Sequence, residues 1–212
     1  MPQQTIGTSQ NEENRLDKAG IPPLQLHHIG LKTARFEEMR AFYHTFLDVH
    51  PVLEIDGFGG FYTFDLAHHR LALFDDPTCT EQVSTSVGMH HVAFLYSLDD
   101  LMRAYQRLKH KDILPFMTVN HGSHTSFYYR EPDNNMLEFL IDHYGADLRK
   151  GQEVMHTFQA SSSPPVVMIN PETYLAAWQT GATLMELHER SYAGEFAEGV
   201  PSFSSGNRSF VS

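Results

Sequence analysis

A block order that occurs twice limits the folds open to this chain more than any other feature. Residues 24–33, LQLHHIGLKT, read as a strand. Residues 34–47 place Phe36, Met39, Phe42, Tyr43 and Phe46 at helical spacing. HPVLEIDG (50–57), FYTFDL (61–66) and RLALFDD (70–76) then read as three short strands. The order returns as a strand at 89–97, a helix at 98–110 and strands at 115–121, 125–131 and 135–142. Pro132, Asp133, Asn134 and Asn135 supply turn chemistry between the last two. At an offset of 63, His27-His28-Ile29 meets His90-His91-Val92, and Met39-Arg40-Ala41-Phe42 meets Met102-Arg103-Ala104-Tyr105. At an offset of 66, Phe61-Tyr62 meets Phe127-Tyr128, and Leu71-Ala72-Leu73 meets Leu137-Glu138-Phe139.

Matches kept in one order predict an α+β body of two βαβββ units, 24–76 and 89–143, sharing a curved mixed sheet over 24–146. Residues 1–23 read as a polar tail. Residues 147–212 read as a connector, a helix over about 170–191 and a second tail. Asn170 is the expected N-cap of that helix, with Pro171 in its first turn. Phe196, Phe203 and Phe210 of the second tail are expected to dock on the body or on another subunit.

Composition removes several function classes. With 15 basic and 26 acidic residues the formal charge is −11, a poor match for nucleic acid or an anionic membrane. One cysteine, Cys79, rules out an intramolecular disulfide and cysteine-based zinc or iron–sulfur sites. No window approaches the roughly 18 consecutive apolar residues of a membrane span, and the N-terminus lacks a signal-peptide core. The expectation is a cytoplasmic protein, a homodimer or higher homo-oligomer. The unusual count is 14 histidines, the commonest metal ligand and the natural proton carrier near pH 7.

The repeat gives those histidines a place. Neighbouring strand residues face opposite ways, so one histidine of each pair can point into the concave side of a sheet. His28 and His91 occupy equivalent positions. On the last strand of each unit, the second has Glu138 where the first has Ala72. Two imidazoles, one carboxylate and a vacant fourth position are the donors of a facial triad that leaves sites open for substrate and O₂. Trp178, Leu184 and Met185 stand at helical spacing and are expected to dock on the body.

HHIGL (27–31), HHVAF (90–94) and PDNNMLEF (132–139) resemble the vicinal-oxygen-chelate superfamily. Residues 119–138 are similar to the signature of its extradiol ring-cleavage dioxygenases, with His121, Phe127, Tyr128, Glu131, Pro132 and Glu138 in the matching places. Asn134 stands where the family has Gly or Pro, and asparagine tolerates a left-handed turn. HHRLALF (68–74) resembles the segment carrying the acid–base histidine, here His69. The resemblance implies Fe(II), with Mn(II) able to use the same donors, held by His28, His91 and Glu138. It implies a catecholic aromatic and O₂ as substrates, the ring being opened beside its two hydroxyls. His69, His121 and Tyr128 would be catalytic, with His124 the alternative to His121. Phe61, Tyr62, Phe127 and Tyr129 are candidates for the pocket wall. Two other readings use the same fold: a metal-dependent lyase or isomerase, and a non-enzymatic protein that shelters an aromatic ligand.

Overall fold

A computed structural model describes residues 23–80, 87–145, 147–159, 166–197 and 199. The first unit runs β1 (Ile29–Thr33), α1 (Phe36–Leu47), β2 (His50–Ile55), β3 (Gly59–Thr63) and β4 (Leu71–Asp75). The second runs β5 (His91–Leu95), α2 (Leu98–Lys109), β6 (Met117–Asn120), β7 (His124–Arg130) and β8 (Met136–Asp142). The strands form two mixed sheets, ordered β1-β4-β3-β2 and β5-β8-β7-β6-β9, where β9 is Val167–Met168. The two units thus share one topology. In each, the first strand lies parallel to the last, and hairpins supply the antiparallel remainder.

Each helix forms for local reasons. α2 starts at Ser97, whose side chain accepts the Asp100 amide, and its ends carry charges that oppose the helix dipole: Asp99 and Asp100 first, Arg107 and Lys109 last. Its buried stripe is Leu101, Met102, Ala104, Tyr105 and Leu108. α1 buries Met39, Tyr43, Phe46 and Leu47 and ends at Asp48 in a left-handed conformation. Both stripes enter one core behind the two sheets. Phe46 joins the halves, its ring centroid 5.1 Å from Tyr129 and 4.4 Å from Phe139. Arg107 reinforces the join by donating to the carbonyls of Thr45 and Phe46, the second at 3.0 Å. At the edge of β3, only glycine fits position 59. Its φ is +134°, and a Cβ there would stand 2.0 Å from the Leu73 carbonyl oxygen.

The C-terminal region departs from expectation. The stretch read as a connector contains α3 (Leu148–Gln159) as well as β9. Gly151 within α3 and the sparse apolar positions hide that helix from a periodicity argument. The helix expected over 170–191 is two, α4 (Pro171–Gln179) and α5 (Leu184–Tyr192). Gly181 breaks it at φ +95°, and Thr183 restarts it through a reciprocal capping box with Glu186. Asn170 does cap α4, accepting the Glu172 amide at 2.9 Å. Phe196 docks on the body, buried against Tyr174 at 5.3 Å and beneath the Arg190 guanidinium. Residues 1–22, Phe203 and Phe210 lie outside the described residues. Among those described, no helix is long and apolar enough to cross a membrane.

Two outcomes follow for stability. Phe46→Ala empties the junction of the halves and should cost about 3–5 kcal/mol in urea unfolding. The second concerns His143, which is buried, donates from Nδ1 to the Gly122 carbonyl and accepts from the Thr125 hydroxyl. Burial pushes its pKa down to about 4, against 6.5 for a free imidazole. Between those values the unfolded chain binds more protons, so stability is complete above about pH 6.5 and declines as pH falls towards 4. A thermal-melt series across that window should show the decline. His143→Gln should flatten it without abolishing it, because His121 is shifted the same way.

Candidate metal centre

β7 and β8 lie antiparallel with Tyr128 opposite Glu138, and β5 pairs with β8 so that Ala93 is opposite Glu138. Alternation therefore puts His91, Glu138, Ser126 and Tyr128 on one face. The Glu138 side chain is only 3 % exposed. Its Oε2 lies 2.9 Å from His91 Nε2, and its Oε1 accepts from the Ser126 hydroxyl, itself fully buried. His124 Nε2 lies 3.8 Å from the same Oε1.

The β6–β7 hairpin brings two more imidazoles. Gly122 takes φ +84°, with its amide held by Asn120 Oδ1 at 2.8 Å, and the turn stacks the rings of His121 and His124 with centroids 4.7 Å apart. Tyr128 Oη lies 3.1 Å from His121 Nε2. One donor atom each from His121, His124 and Glu138 falls within 4.8 Å of the others. Burial first, and then the nearby His124, push the His121 pKa down to about 4, so its ring is neutral at pH 7. His124 is lowered by burial as well. Burial and the Glu138 charge raise Tyr128, which stays a phenol and can donate to His121 Nε2.

The other predicted residues fall in a second cluster. His28 Nδ1 lies 3.1 Å from His27 Nδ1, and the His28 and His69 ring centroids are 4.3 Å apart. Phe61 packs edge-on to His69 at 5.2 Å. Ala72 lies opposite Gly30 and Phe61 on this side of the first sheet. His69 is lowered by burial and then by the imidazoles of His28, His68 and His27. His28 also lines a cleft with Val92, Ala93 and Phe94 of β5, but it is not in the close group around Glu138. The structure thus joins His91 to Glu138 and His121 to Tyr128, and joins His28 to His69.

The pocket-wall expectation needs correcting for three residues. Tyr62, Phe127 and Tyr129 point into the core behind the sheets. Phe127 packs on Tyr105 and Tyr174, Tyr129 on Phe46 and Phe139, and Tyr62 donates to Glu54 at 2.7 Å. The reason is the two-residue period: Phe127 and Tyr129 must face away from Tyr128, and Tyr62 away from Phe61, which lies opposite Ala72. The apolar surface beside Tyr128 is instead Val119 and Met136, with Met117 and Met168 against them. Sequence reasoning also missed Ser126, which the same period from Tyr128 could have found.

An imidazole-rich face around one dry carboxylate suits a divalent metal. Neutral rings offer lone pairs, and a buried carboxylate needs a cation or donors to offset its lost hydration. Two βαβββ units with such a face define a paired-module metal-centre class. Residues 25–139 match the profile of the Glyoxalase/Bleomycin resistance protein/Dioxygenase superfamily, and the chain belongs to that superfamily. It is 36 % identical over 176 residues to "Biphenyl-2,3-diol 1,2-dioxygenase 2" of Rhodococcus globerulus, covering 82 % of this chain and 92 % of the relative. To "Biphenyl-2,3-diol 1,2-dioxygenase 3" of the same organism it is 35 % identical, covering 80 % and 90 %. A glyoxalase/dioxygenase crystal structure from Nostoc punctiforme matches with a TM-score of 0.50 at 22 % identity, covering 59 % of this chain and 97 % of that one, which shows the fold.

The Ser126 contact has a measurable consequence. Ser126→Ala leaves Glu138 Oε1 without its donor and should weaken divalent-metal binding by about 10–100-fold in a metal titration, with Ser126→Thr restoring most of it.

Proposed function

We propose that this protein is a non-haem Fe(II) extradiol dioxygenase that opens a catecholic ring beside its two hydroxyls, with O₂ as co-substrate. The observation that carries the reading is the 36 % identity, over 92 % of its length, to a biphenyl-2,3-diol 1,2-dioxygenase. A 3-aryl catechol such as biphenyl-2,3-diol is accordingly the proposed substrate. The buried Glu138 beside His91, with a protonated Tyr128 on the same face, supports it. The ligands are His91, Glu138 and His28, the last from its repeat-related position. Mn(II) would accept the same donors.

When bound, the metal supplies the electronic link between a catecholate and O₂. The chain does the rest. Tyr128 hydrogen-bonds one substrate oxygen and orients the ring. His121, neutral and joined to the Tyr128 hydroxyl, accepts a proton there. His69, its pKa lowered by burial and then by the neighbouring imidazoles, is a second acceptor beside His28. Phe61 beside His69 and the Met136 side of Tyr128 exclude water from the ring.

The close approach of His124 to Glu138 favours a second ligand set, with His124 in place of His28. Metal analysis after anaerobic Fe(II) loading separates the two. His28→Ala should lose stoichiometric iron, and His124→Ala should keep it; the reverse result assigns His124. The activity itself is tested by O₂ uptake on biphenyl-2,3-diol. The wild type should consume one O₂ per diol and form a yellow ring-opened product. Glu138→Gln should abolish uptake, and Tyr128→Phe should lower kcat by about 10²-fold or more. Bound metal without O₂ uptake on any catechol would favour a lyase or isomerase. No metal after reconstitution would leave a binding protein.

A further inference from the structure

We propose that the groove between α3 and the second sheet is the subsite for the second aromatic ring of a 3-aryl catechol. This rests on the dioxygenase reading for where the first ring lies.

Three observations carry it. First, α3 turns Leu148, Gly151, Gln152 and Met155 towards His124 and Leu140 across a cavity of about 750 Å³. Their spacing, i, i+3, i+4 and i+7, is that of one helix face, the face that normally packs. Here it does not: Leu148 is 70 % and Met155 49 % exposed. Second, the middle of that face is a glycine. Glycine is a poor helix former and serves in a helix where something must come close. A Cβ at Gly151 would meet nothing within 4 Å among the described residues, so the groove is open at that position. Third, the groove opens on the candidate metal centre. His124 lines it and also lies 3.8 Å from Glu138, while Leu140 follows Glu138 by two residues on the same face of β8. The Ser123 hydroxyl, next to His124, contacts Met155 Sδ at 3.2 Å and ties the helix to the hairpin.

A flat substrate with its diol at Glu138 has the Val119–Met136 surface on the Tyr128 side and can extend in the other direction, over Leu140 and under Met155. A thioether above an aryl ring is a favourable contact, and Leu140 and Leu148 supply apolar surface to either side. Asp142 and His156 also line the groove, so an uncharged ring fits it better than an anionic substituent, which the Asp142 carboxylate would repel.

The test compares two diols on the iron-loaded full-length protein. Gly151→Phe fills the slot from the helix, and Met155→Ala removes its cover. Each should lower the ratio of kcat/KM for biphenyl-2,3-diol to that for catechol by at least tenfold, mainly through KM, with iron content and melting temperature near wild type. A ratio within twofold of wild type in both variants overturns the proposal. Anaerobic titration calorimetry reads the same subsite without turnover. The wild type should bind biphenyl-2,3-diol more tightly than catechol, and Gly151→Phe should erase the difference. Such binding without O₂ uptake would keep the subsite and sink the dioxygenase reading. Equal binding of the two diols by the wild type would sink the subsite, whatever the activity.

Discussion

A carboxylate almost entirely removed from water on β8 sets the terms for everything around it. Burying that charge without partners would cost several kcal/mol, so the second unit is arranged to supply them. Ser126 gives one oxygen a hydroxyl and His91 meets the other at 2.9 Å. His124 stands behind the first oxygen. These partners come from two strands, β5 and β7, and their positions depend on the register of both against β8. A slip of one residue in either pairing would turn Glu138 or its partners to the other face. The demand of one dry charge and the register of the sheet are therefore a single constraint.

That register also builds the core. Phe127, Tyr129, Leu137 and Phe139 flank Tyr128 and Glu138 in sequence and point the opposite way. They receive Phe46 from α1 and the apolar stripe of α2. The same strands thus serve as core on one side and as polar centre on the other, and packing behind the sheet holds the donors in front of it. The hairpin that carries His121 and His124 is tied at its base by Asn120 to Gly122 and, through the His143 ring, to Thr125. These bonds are buried, one within the turn and two from His143 just beyond β8, and they fix the turn that carries the two imidazoles. The tie of Asn120 to His188 of α5 extends that support to the C-terminal helices.

The two units are equivalent in topology and unequal in chemistry. The second gathers a carboxylate, imidazoles and a phenol. The first presents His27, His28, His68 and His69 beside Ala72, with no acidic residue at the position equivalent to Glu138. These imidazoles pack on one another, His27 stacked on His68 and His69 tilted against His28, and burial first and then the neighbouring rings lower the pKa of His69. The asymmetry suits a centre with donors mainly on one side and space on the other. α3 adds a further asymmetry by standing off the polar face of the second sheet.

Much of this was readable from the chain alone. Local periodicity and repeat offsets determined the two βαβββ units, the amphipathic faces of α1 and α2, the equivalence of His28 with His91, and the Glu138–Ala72 difference. Such features depend on residues near in sequence or on copies in one order. Asn134 in its left-handed turn was legible for the same reason. The C-terminal region was not: a glycine inside α3 obscured its period, and the break at Gly181 looked like a continuous helix. What only the tertiary structure decided was company. Which face of β7 met the core separated Tyr128 from Phe127 and Tyr129. The hairpin geometry brought His124 to Glu138, while His28 went to His69. Those outcomes turn on distances between strands far apart in sequence, set by the packing of the whole core, and no local pattern carries that information.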